Sequence, residues 1–219
     1  MKALMIKDLR LVMRQQRATL FMFIAIILLV IGATENPMFG IMYTVFLLPA
    51  LLISTISYDT FENGMLFLLA LPISKRDYVA EKYLLTVGDS VIVNILATGL
   101  TYLTRTFKGG TVDITEFLVY AFSAQSIILL YTALALPVNI RYGTEKGRFV
   151  IIILAIAIGA LLGSSGHLPE TGGTNALEVF GIISQFGIVE LLLLVLLVCV
   201  LLTVVSFLVC VKWVKKKEY

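Results

Sequence analysis

The sequence predicts an all-α protein that crosses a membrane several times. Its 219 residues are 59% hydrophobic and 14% charged, whereas an ordinary soluble domain has roughly 45–50% apolar and about 25% charged residues. The mean hydropathy is +1.00, and the apolar residues form long runs of the length that a membrane-spanning helix needs. The basic residues cluster beside those runs. Together these observations exclude a disordered chain and argue against a soluble domain.

Six apolar runs have the composition of a spanning helix, and they lie at 18–34, 38–57, 83–104, 116–138, 149–163 and 190–211. Their orientation follows from the Lys and Arg residues of the short flanks, which favour the cytoplasmic side. With both termini inside, all of the 17 Lys and Arg residues except Arg105 and Lys108 are cytoplasmic. We therefore expect a single transmembrane domain over 1–219, with six spans and both termini in the cytoplasm.

The first segment, 1–17, is predicted to be an amphipathic helix at the membrane interface. Its basic residues recur at spacings of three and four and form one stripe, which consists of Lys7, Arg10, Arg14 and Arg17. Such a helix lies in the headgroup layer with its charges towards anionic lipid. The alternatives are a simple positive-inside anchor and a cleaved signal peptide, which the five spans that follow make less suitable.

The third span has a polar half. At about 100° per residue, one side of the helix carries a set of polar side chains that includes Asp89, Ser90, Asn94, Thr98 and Thr101. Polar groups in hydrocarbon are costly and usually face protein or water. These residues are therefore predicted to line a cavity, a substrate path or a subunit interface. The alternative for Asp89 is a position near the cytoplasmic headgroups, paired with Lys82 or a neighbour.

The two longest segments between spans are 58–82 and 164–189. In the inner one, an apolar run ends at Pro72, and Ser74 is expected to start a new helix with Asp77 as its capping partner. The apolar run is too short to cross a bilayer, so it either docks on another protein or lies flat on the membrane. The outer segment is predicted to combine a loop rich in Gly, Ser and Thr with short helices.

The sequence lacks the motifs of a catalytic chain. GxxxxGK[ST], HExxH and GxSxG do not occur, and the chain has 2 Cys and 1 His. These counts exclude a P-loop nucleotide site, a disulfide framework and a His-based metal site in this chain. We therefore expect a chain that is not an enzyme and holds no cofactor of its own. The basic residues lie beside apolar runs, which favours lipid over nucleic acid as the partner.

Two stretches carry a resemblance to a known family. They are 71–84, LPISKRDYVAEKYL, and 137–148, PVNIRYGTEKGR, with Asp59 ahead of the first. Together they resemble the small six-span permeases of type-2 ATP-binding-cassette (ABC) exporters. Within that family the sequence is most similar to the permeases of Gram-positive bacteria, including those of phenol-soluble modulin exporters.

The resemblance implies a complex in the bacterial plasma membrane. In this family two permeases pair, as identical copies or paralogues, and each docks a separate cytosolic P-loop ATPase that binds ATP and Mg. The docking element is a coupling helix, here about 60–71, and its candidate contacts are Phe61, Glu62, Asn63, Met65 and Leu68. The N-terminal helix corresponds to the interfacial connecting helix, and the segment before the last span corresponds to an outer gate.

The expected function is the permease subunit of an ATP-driven exporter. The polar half of the third span and the apolar surroundings suit an amphipathic cargo, such as antimicrobial or modulin-like peptides or a lipid-like molecule. One alternative is a stand-alone carrier that uses Asp89 in proton or ion coupling. The other is a structural membrane protein without transport, which would leave the pattern of 58–82 unexplained.

Overall fold

The computed structural model describes residues 2–15, 17–33, 36–60, 74–109, 113–164 and 187–216. The regular elements in these ranges are helices, namely α1 Lys2–Gln15, α2 Arg17–Ala33, α3 Pro37–Thr60, α4 Lys75–Phe107, α5 Ile114–Ser164 and α6 Ile188–Lys216. The predicted all-α fold class is confirmed for the described part of the chain.

Four helical segments within the described residues are long and apolar enough to cross a membrane. They are Pro37–Ile56, Lys75–Phe107, Ile114–Gly143 and Ile188–Val214, and they contain or overlap the second, third, fourth and sixth predicted spans. The fifth predicted span and the described part of the first are also helical, since they lie in the later part of α5 and in α2. That these two helices cross the membrane stays a prediction, as does the placement of the termini.

The start of α4 and the break in α5 have local causes. Ser74 caps α4, because its hydroxyl accepts a hydrogen bond from the Asp77 amide at 3.0 Å and donates one to the Asp77 carboxylate at 2.7 Å. The predicted capping pair is therefore confirmed. In α5, Gly143 has a φ of +77°, which glycine adopts without steric cost. A Cβ at Gly147 would clash with the side-chain oxygen of Asn139, so the two arms of α5 meet closely there.

Two apolar cores hold the helices together. One joins α1, α3, α4, α5 and α6, and its most buried members include Leu4, Ile56, Val79, Leu136 and Cys210. We call this side of the bundle the basic end, because the basic residues of α1, of the start of α4 and of the end of α6 all lie there. The other core joins α3, α4 and α5 through Ile41, Val45, Ala97, Phe117, Ala124 and Ile128. The two cores set α3, α4 and the first arm of α5 side by side.

Helix α6 lies at the periphery of the bundle. In its most apolar window 11% of the residues are buried, so the described part of the chain leaves most of its surface uncovered. Polar contacts fix it in place, because the Ser206 hydroxyl donates to the Ala133 carbonyl at 2.5 Å and shares a 2.7 Å hydrogen bond with the Tyr83 hydroxyl. One hydroxyl therefore ties α6 to both α4 and α5.

Candidate functional site: a buried ionic cluster

The buried face of α1 carries a carboxylate. Leu4, Asp8 and Val12 are buried, and their spacing of four residues places them on one side of the helix. This side contacts α3 and α4, while Ile6, Leu9 and Met13 are exposed. Because an ionised group is rarely buried without a partner, the buried Asp8 is expected to contact opposing charges.

Those opposing charges come from α4 and from α1 itself, and α3 adds a second carboxylate. Asp8 bonds the ammonium group of Lys82 through its Oδ2 atom, and its Oδ1 atom lies 3.1 Å from the Nζ atom of Lys7. Asp59 closes the ring, because its carboxylate oxygens lie 2.5 Å from Lys7 Nζ and 2.8 Å from Lys82 Nζ. We call these four residues, Lys7, Asp8, Asp59 and Lys82, the ionic cluster. Its charges alternate and sum to zero.

Two hydroxyl groups complete the ionic cluster. The Tyr78 hydroxyl donates to Asp59 Oδ2 at 3.2 Å, and the Thr55 hydroxyl lies 3.2 Å from Asp8 Oδ2 and 3.1 Å from Lys82 Nζ. Thr55 stands four residues before Asp59, and Tyr78 stands four residues before Lys82, so each pair lies on one face of its helix. Side chains from three helices therefore pair the buried charges, although Asp8 Oδ1 has no hydrogen-bond partner among the described residues.

The two α1 members of the ionic cluster, Lys7 and Asp8, are held in their charged forms. Burial opposes ionisation of Asp8, but the Lys82 and Lys7 ammonium groups outweigh it and hold the pKa of Asp8 below its usual range. Burial likewise opposes the charge on Lys7, but Asp59 and Asp8 outweigh it and raise the pKa of Lys7. Lys7 and Asp8 therefore stay charged around neutral pH, and their ion pairs with Asp59 and Lys82 hold α1 against α3 and α4.

Glu81 adds a third carboxyl group beside the ionic cluster. It is 1% exposed, it interacts electrostatically with Lys82 and Asp8, and both of its carboxyl oxygens are without a hydrogen-bond partner among the described residues. The charges of the ionic cluster are already balanced, so Glu81 is the least satisfied polar group at this junction.

The predicted substrate-path residues lie further along α4, and several of them face α5. The Asn94 amide donates to Gln125 Oε1 at 3.1 Å and to the Ala121 carbonyl at 2.9 Å, and the Gln125 amide donates to the Ser90 hydroxyl at 3.1 Å. We call Ser90, Asn94 and Gln125 the amide ladder. In this single chain the polar half of the helix is therefore used in helix packing.

The other members of the predicted path are placed around the amide ladder. The Thr98 hydroxyl donates to Asn94 Oδ1 at 3.3 Å, and the Thr101 hydroxyl donates to the Ala97 carbonyl of its own helix at 2.7 Å. Asp89 is half-buried, and its Oδ2 atom has no hydrogen-bond partner among the described residues. Lys82 pairs with Asp8 and Asp59, so the pairing of Lys82 with Asp89 considered from the sequence is not formed. That these residues meet cargo stays a prediction.

The predicted interface residues divide between two environments. Arg10, Arg14 and Arg17 are exposed, beside exposed apolar side chains such as Leu9 and Met13, which is the surface that a helix in the headgroup layer needs. Lys7 instead forms an ion pair with Asp59. The basic stripe thus has three exposed members and one member that belongs to the ionic cluster.

The predicted ATPase-docking residues lie outside the described residues, and they are Phe61, Glu62, Asn63, Met65 and Leu68. Both flanks of that segment are described. Asp59 lies just before it, and Tyr78 and Lys82 follow it on α4. The hydrogen bond from Tyr78 to Asp59 and the ion pair between Lys82 and Asp59 join the chain that enters 61–73 to the chain that leaves it. Lys7 and Asp8 attach both flanks to α1.

The sequence contains an indication of the ionic cluster that helical periodicity alone does not provide. Asp8 interrupts a basic segment at a position four residues from both Leu4 and Val12, and Asp59 closes a long apolar helix. A lone acid on an apolar face indicates a buried partner of opposite sign. The identity of that partner could not be read off, because Lys82 is 74 residues away from Asp8 along the chain.

Comparison with known proteins identifies the family in which this ionic cluster occurs. No curated protein and no solved structure gives a significant match to the chain. A family model described as ABC-2 family transporter protein matches residues 3–215, which includes all four residues of the ionic cluster. The chain therefore belongs to the ABC-2 family of transporter proteins and is the permease component of an ABC transporter.

Proposed function

We propose that the chain is the permease subunit of an ATP-driven exporter in the bacterial plasma membrane. It pairs with a second permease, either another copy or a paralogue, and each permease docks a separate cytosolic ATPase that binds ATP and Mg. The family match supports an ABC transporter permease, and it favours ATP-driven transport over the gradient-driven carrier. In this proposal the basic end of the bundle faces the cytoplasm, in line with the positive-inside rule.

The observation that carries the proposal is the position of the ionic cluster on both flanks of 61–73. Asp59 at the end of α3 and Lys82 in α4 are 2.8 Å apart, and Lys7 and Asp8 join α1 to both. A push on 61–73 by an ATPase would therefore displace α1, α3 and α4 together rather than one helix at a time. Because packed interiors transmit strain, such a junction suits a permease whose motor is another chain.

The proposed cargo is an amphipathic molecule, with modulin-like or antimicrobial peptides first and lipid-like molecules next. Asp89 is the residue of the predicted path whose carboxyl group has an oxygen unpartnered among the described residues, so it is the group that we expect cargo to meet. The change D89N removes the charge at nearly constant volume and is expected to reduce export of a modulin-like peptide without loss of folded protein. Unchanged export in D89N would remove Asp89 from the path.

Two measurements test the ATPase partner and the coupling of ATP hydrolysis to transport. The tagged protein is purified in mild detergent, and its partners are identified by mass spectrometry alongside an assay of ATP turnover. A stoichiometric P-loop ATPase that is released by E62K or by deletion of 60–71 is the expected result. Purification of the chain alone, with no ATP hydrolysed, would contradict the proposal and return the gradient-driven carrier to first place.

The coupling role is tested in inside-out vesicles that take up a fluorescent modulin-like peptide. The change D59N keeps the size of the side chain but removes the charge that faces Lys7 and Lys82, so we expect ATP turnover to persist while peptide uptake falls. The matched control is D113N, at an exposed aspartate whose carboxylate accepts from the Thr115 amide at the start of α5, where Asn caps a helix as well as Asp. Equal loss of turnover and uptake in D59N would contradict a coupling role.

A further inference from the structure

Glu81 is a buried carboxyl group beside the ionic cluster that the proposed function does not use. It is 1% exposed, and both of its oxygens are without a hydrogen-bond partner among the described residues. Such a state is costly, because burial of an unpaired charge and burial of an unpaired acceptor are both unfavourable. Glu81 is therefore expected to bind a ligand, of which the smallest is a proton.

The charged groups around Glu81 come from α1, α3 and α4, and they are the four members of the ionic cluster. Two ammonium groups and two carboxylates neutralise one another there. Tyr78 contributes a hydroxyl that donates to Asp59. The core at the basic end has apolar members on α5, and on α6 it includes the thiol of Cys210, which is uncharged at neutral pH. An ionised Glu81 would therefore add a negative charge in excess of the described cations.

The Glu81 carboxyl group lies within hydrogen-bonding reach of the Asp8 carboxylate. Two ionised carboxylates can only accept hydrogen bonds, so they repel each other. A single proton changes this contact, because a protonated carboxyl group donates a hydrogen bond to a carboxylate. The Oδ1 atom of Asp8 is buried and without a hydrogen-bond partner among the described residues, so it is available as the acceptor. One proton would thus remove the excess charge and join two carboxyl groups that otherwise repel.

We propose that Glu81 binds a proton at neutral pH and donates it in a hydrogen bond to the Asp8 carboxylate. The proton resides on Glu81, because Lys82 and Lys7 hold Asp8 in its ionised form. The hydrogen bond joins α4 to α1 beside the ionic cluster. Release of the proton replaces this bond by repulsion between two carboxylates, so α1 is held less firmly against α4 as the pH rises. This proton site does not depend on the proposed export function.

The proton gives the stability of the folded protein a definite pH dependence. A glutamate of the unfolded chain releases its proton near pH 4.3, at about its ordinary pKa, whereas folded Glu81 keeps its proton at neutral pH. The stabilisation by Glu81 is therefore complete below about pH 4.3 and is lost as the pH rises. The stabilisation by Asp8 is lost in the opposite direction, as the pH falls, so the two contributions can be separated.

The change E81Q tests this direction, because glutamine is neutral at every pH and its amide can donate to Asp8. The unfolding temperature of the full-length protein in detergent is measured from about pH 5 to about pH 9. The matched control is E190Q, at an exposed glutamate in the first turn of α6. We expect the wild type and E190Q to lose several degrees over this range and E81Q to lose much less. Equal losses in all three proteins overturn the proposal.

Infrared spectroscopy locates the proton directly. A protonated carboxyl group has a carbonyl stretch that an ionised carboxylate lacks, and carbon-13 labelling of glutamate shifts that band away from the band of aspartate. At neutral pH we expect the shifted band in the labelled wild type and in E190Q, but not in E81Q. The labelled wild type is decisive even if E81Q does not fold, since Glu81 is the buried glutamate among the described side chains. Absence of the band from the wild type, or its persistence in E81Q, overturns the proposal.

The same measurements distinguish the proton from two other ligands. A sodium ion between two ionised carboxylates would raise the unfolding temperature in sodium chloride relative to choline chloride at equal ionic strength, and the glutamic acid band would be absent. A water molecule between ionised groups would give neither the sodium effect nor the band. Either result overturns the assignment to a proton. Far-UV circular dichroism and the elution volume check that each variant is folded.

Discussion

Helix α4 buries polar side chains in two different ways along its length. Near its start, Lys82 enters the ionic cluster, where full charges pair at 2.8 Å with Asp59. Further along, Asn94 meets Gln125 at 3.1 Å through neutral amides. Both sites are buried, and both hold α4 against neighbouring helices.

The difference follows from what surrounds each site. At the basic end, α1 supplies two counter-charges and α3 has passed the end of its candidate span at Ile56, so charges can be balanced. The amide ladder lies well inside the candidate spans of α4 and α5, where an unpaired charge would be far more expensive than an amide. The comparison of these two sites teaches that a full charge on α4 is buried where several helices neutralise it, whereas the helix contact with α5 is made by neutral dipoles.

The largest expected effect is from breaking the ionic cluster on one side. The change K82M leaves the two buried carboxylates, Asp8 and Asp59, with too little positive charge, and removal of one partner from a buried pair costs about 3–5 kcal/mol. We expect a large drop in the thermal unfolding temperature of the purified protein. The control R76M removes an exposed charge from the same helix and should change little.

The double variant D8N/K82M sharpens this result. It removes one charge of each sign, so we expect its unfolding temperature to lie above that of K82M. Additive losses from D8N and K82M would contradict the idea that these two charges act as a pair.

A smaller effect is expected at the amide ladder. The change N94L leaves the Gln125 oxygen and the Ala121 carbonyl without their donor, which costs about 1–3 kcal/mol for a buried acceptor. The double variant N94L/Q125L removes both amides and should recover part of the loss. The control T106V lies at an exposed position of α4 and should stay within about 0.5 kcal/mol of the wild type. A loss in N94L as large as in K82M would erase the distinction between the two sites.

The smallest effect concerns pH, to which the two sites should respond differently. The pKa of Asp8 is lowered in the folded protein, so its stabilisation is present above the unfolded value of about 3.9 and is lost as the pH falls through the folded value. The pKa of Lys7 is raised, so its stabilisation is present below about 10.4 and is lost as the pH rises through the folded value. Between these limits, Asp8 and Lys7 are expected to add no pH dependence of their own.

The measurement is the unfolding temperature from about pH 3 to pH 9, compared between the wild type, D8N/K82M and N94L/Q125L. The wild type and N94L/Q125L should lose stability in parallel below about pH 4, where an aspartate takes up its proton. The variant D8N/K82M, which lacks the Asp8 carboxylate, should lose less over the same range. Identical acid profiles in all three proteins would show that Asp8 does not contribute to the pH dependence.

Much of the fold could be predicted because it depends on local patterns. The apolar runs predicted where helices lie, and the pair Ser74 and Asp77 predicted where α4 begins, since capping involves residues three apart. Long helices require little more than length and composition to be recognised. The polar half of the third span was likewise visible from its spacing.

The partners of the polar side chains could not be predicted in the same way. The spacing of Ser90 and Asn94 indicated a face that avoids lipid, but a cavity and a neighbouring helix satisfy that pattern equally well. Gln125 became the partner because α4 and α5 pack side by side, which depends on contacts 31 and 35 residues apart along the chain. The docking residues 61–68 lie outside the described residues, so their role stays a prediction.

The sequence by itself determined that the chain is helical, that it enters a membrane and that its charge lies at one end, because composition and periodicity are properties of neighbouring residues. The tertiary structure alone decided that Lys7, Asp8, Asp59 and Lys82 form one neutral cluster and that Arg141 stacks on Trp213. Such sites arise where helices cross, and the crossing is set by packing that no local pattern encodes. The physical reason is that a buried charge is tolerated only beside its counter-charge, which the fold brings from a distant part of the chain.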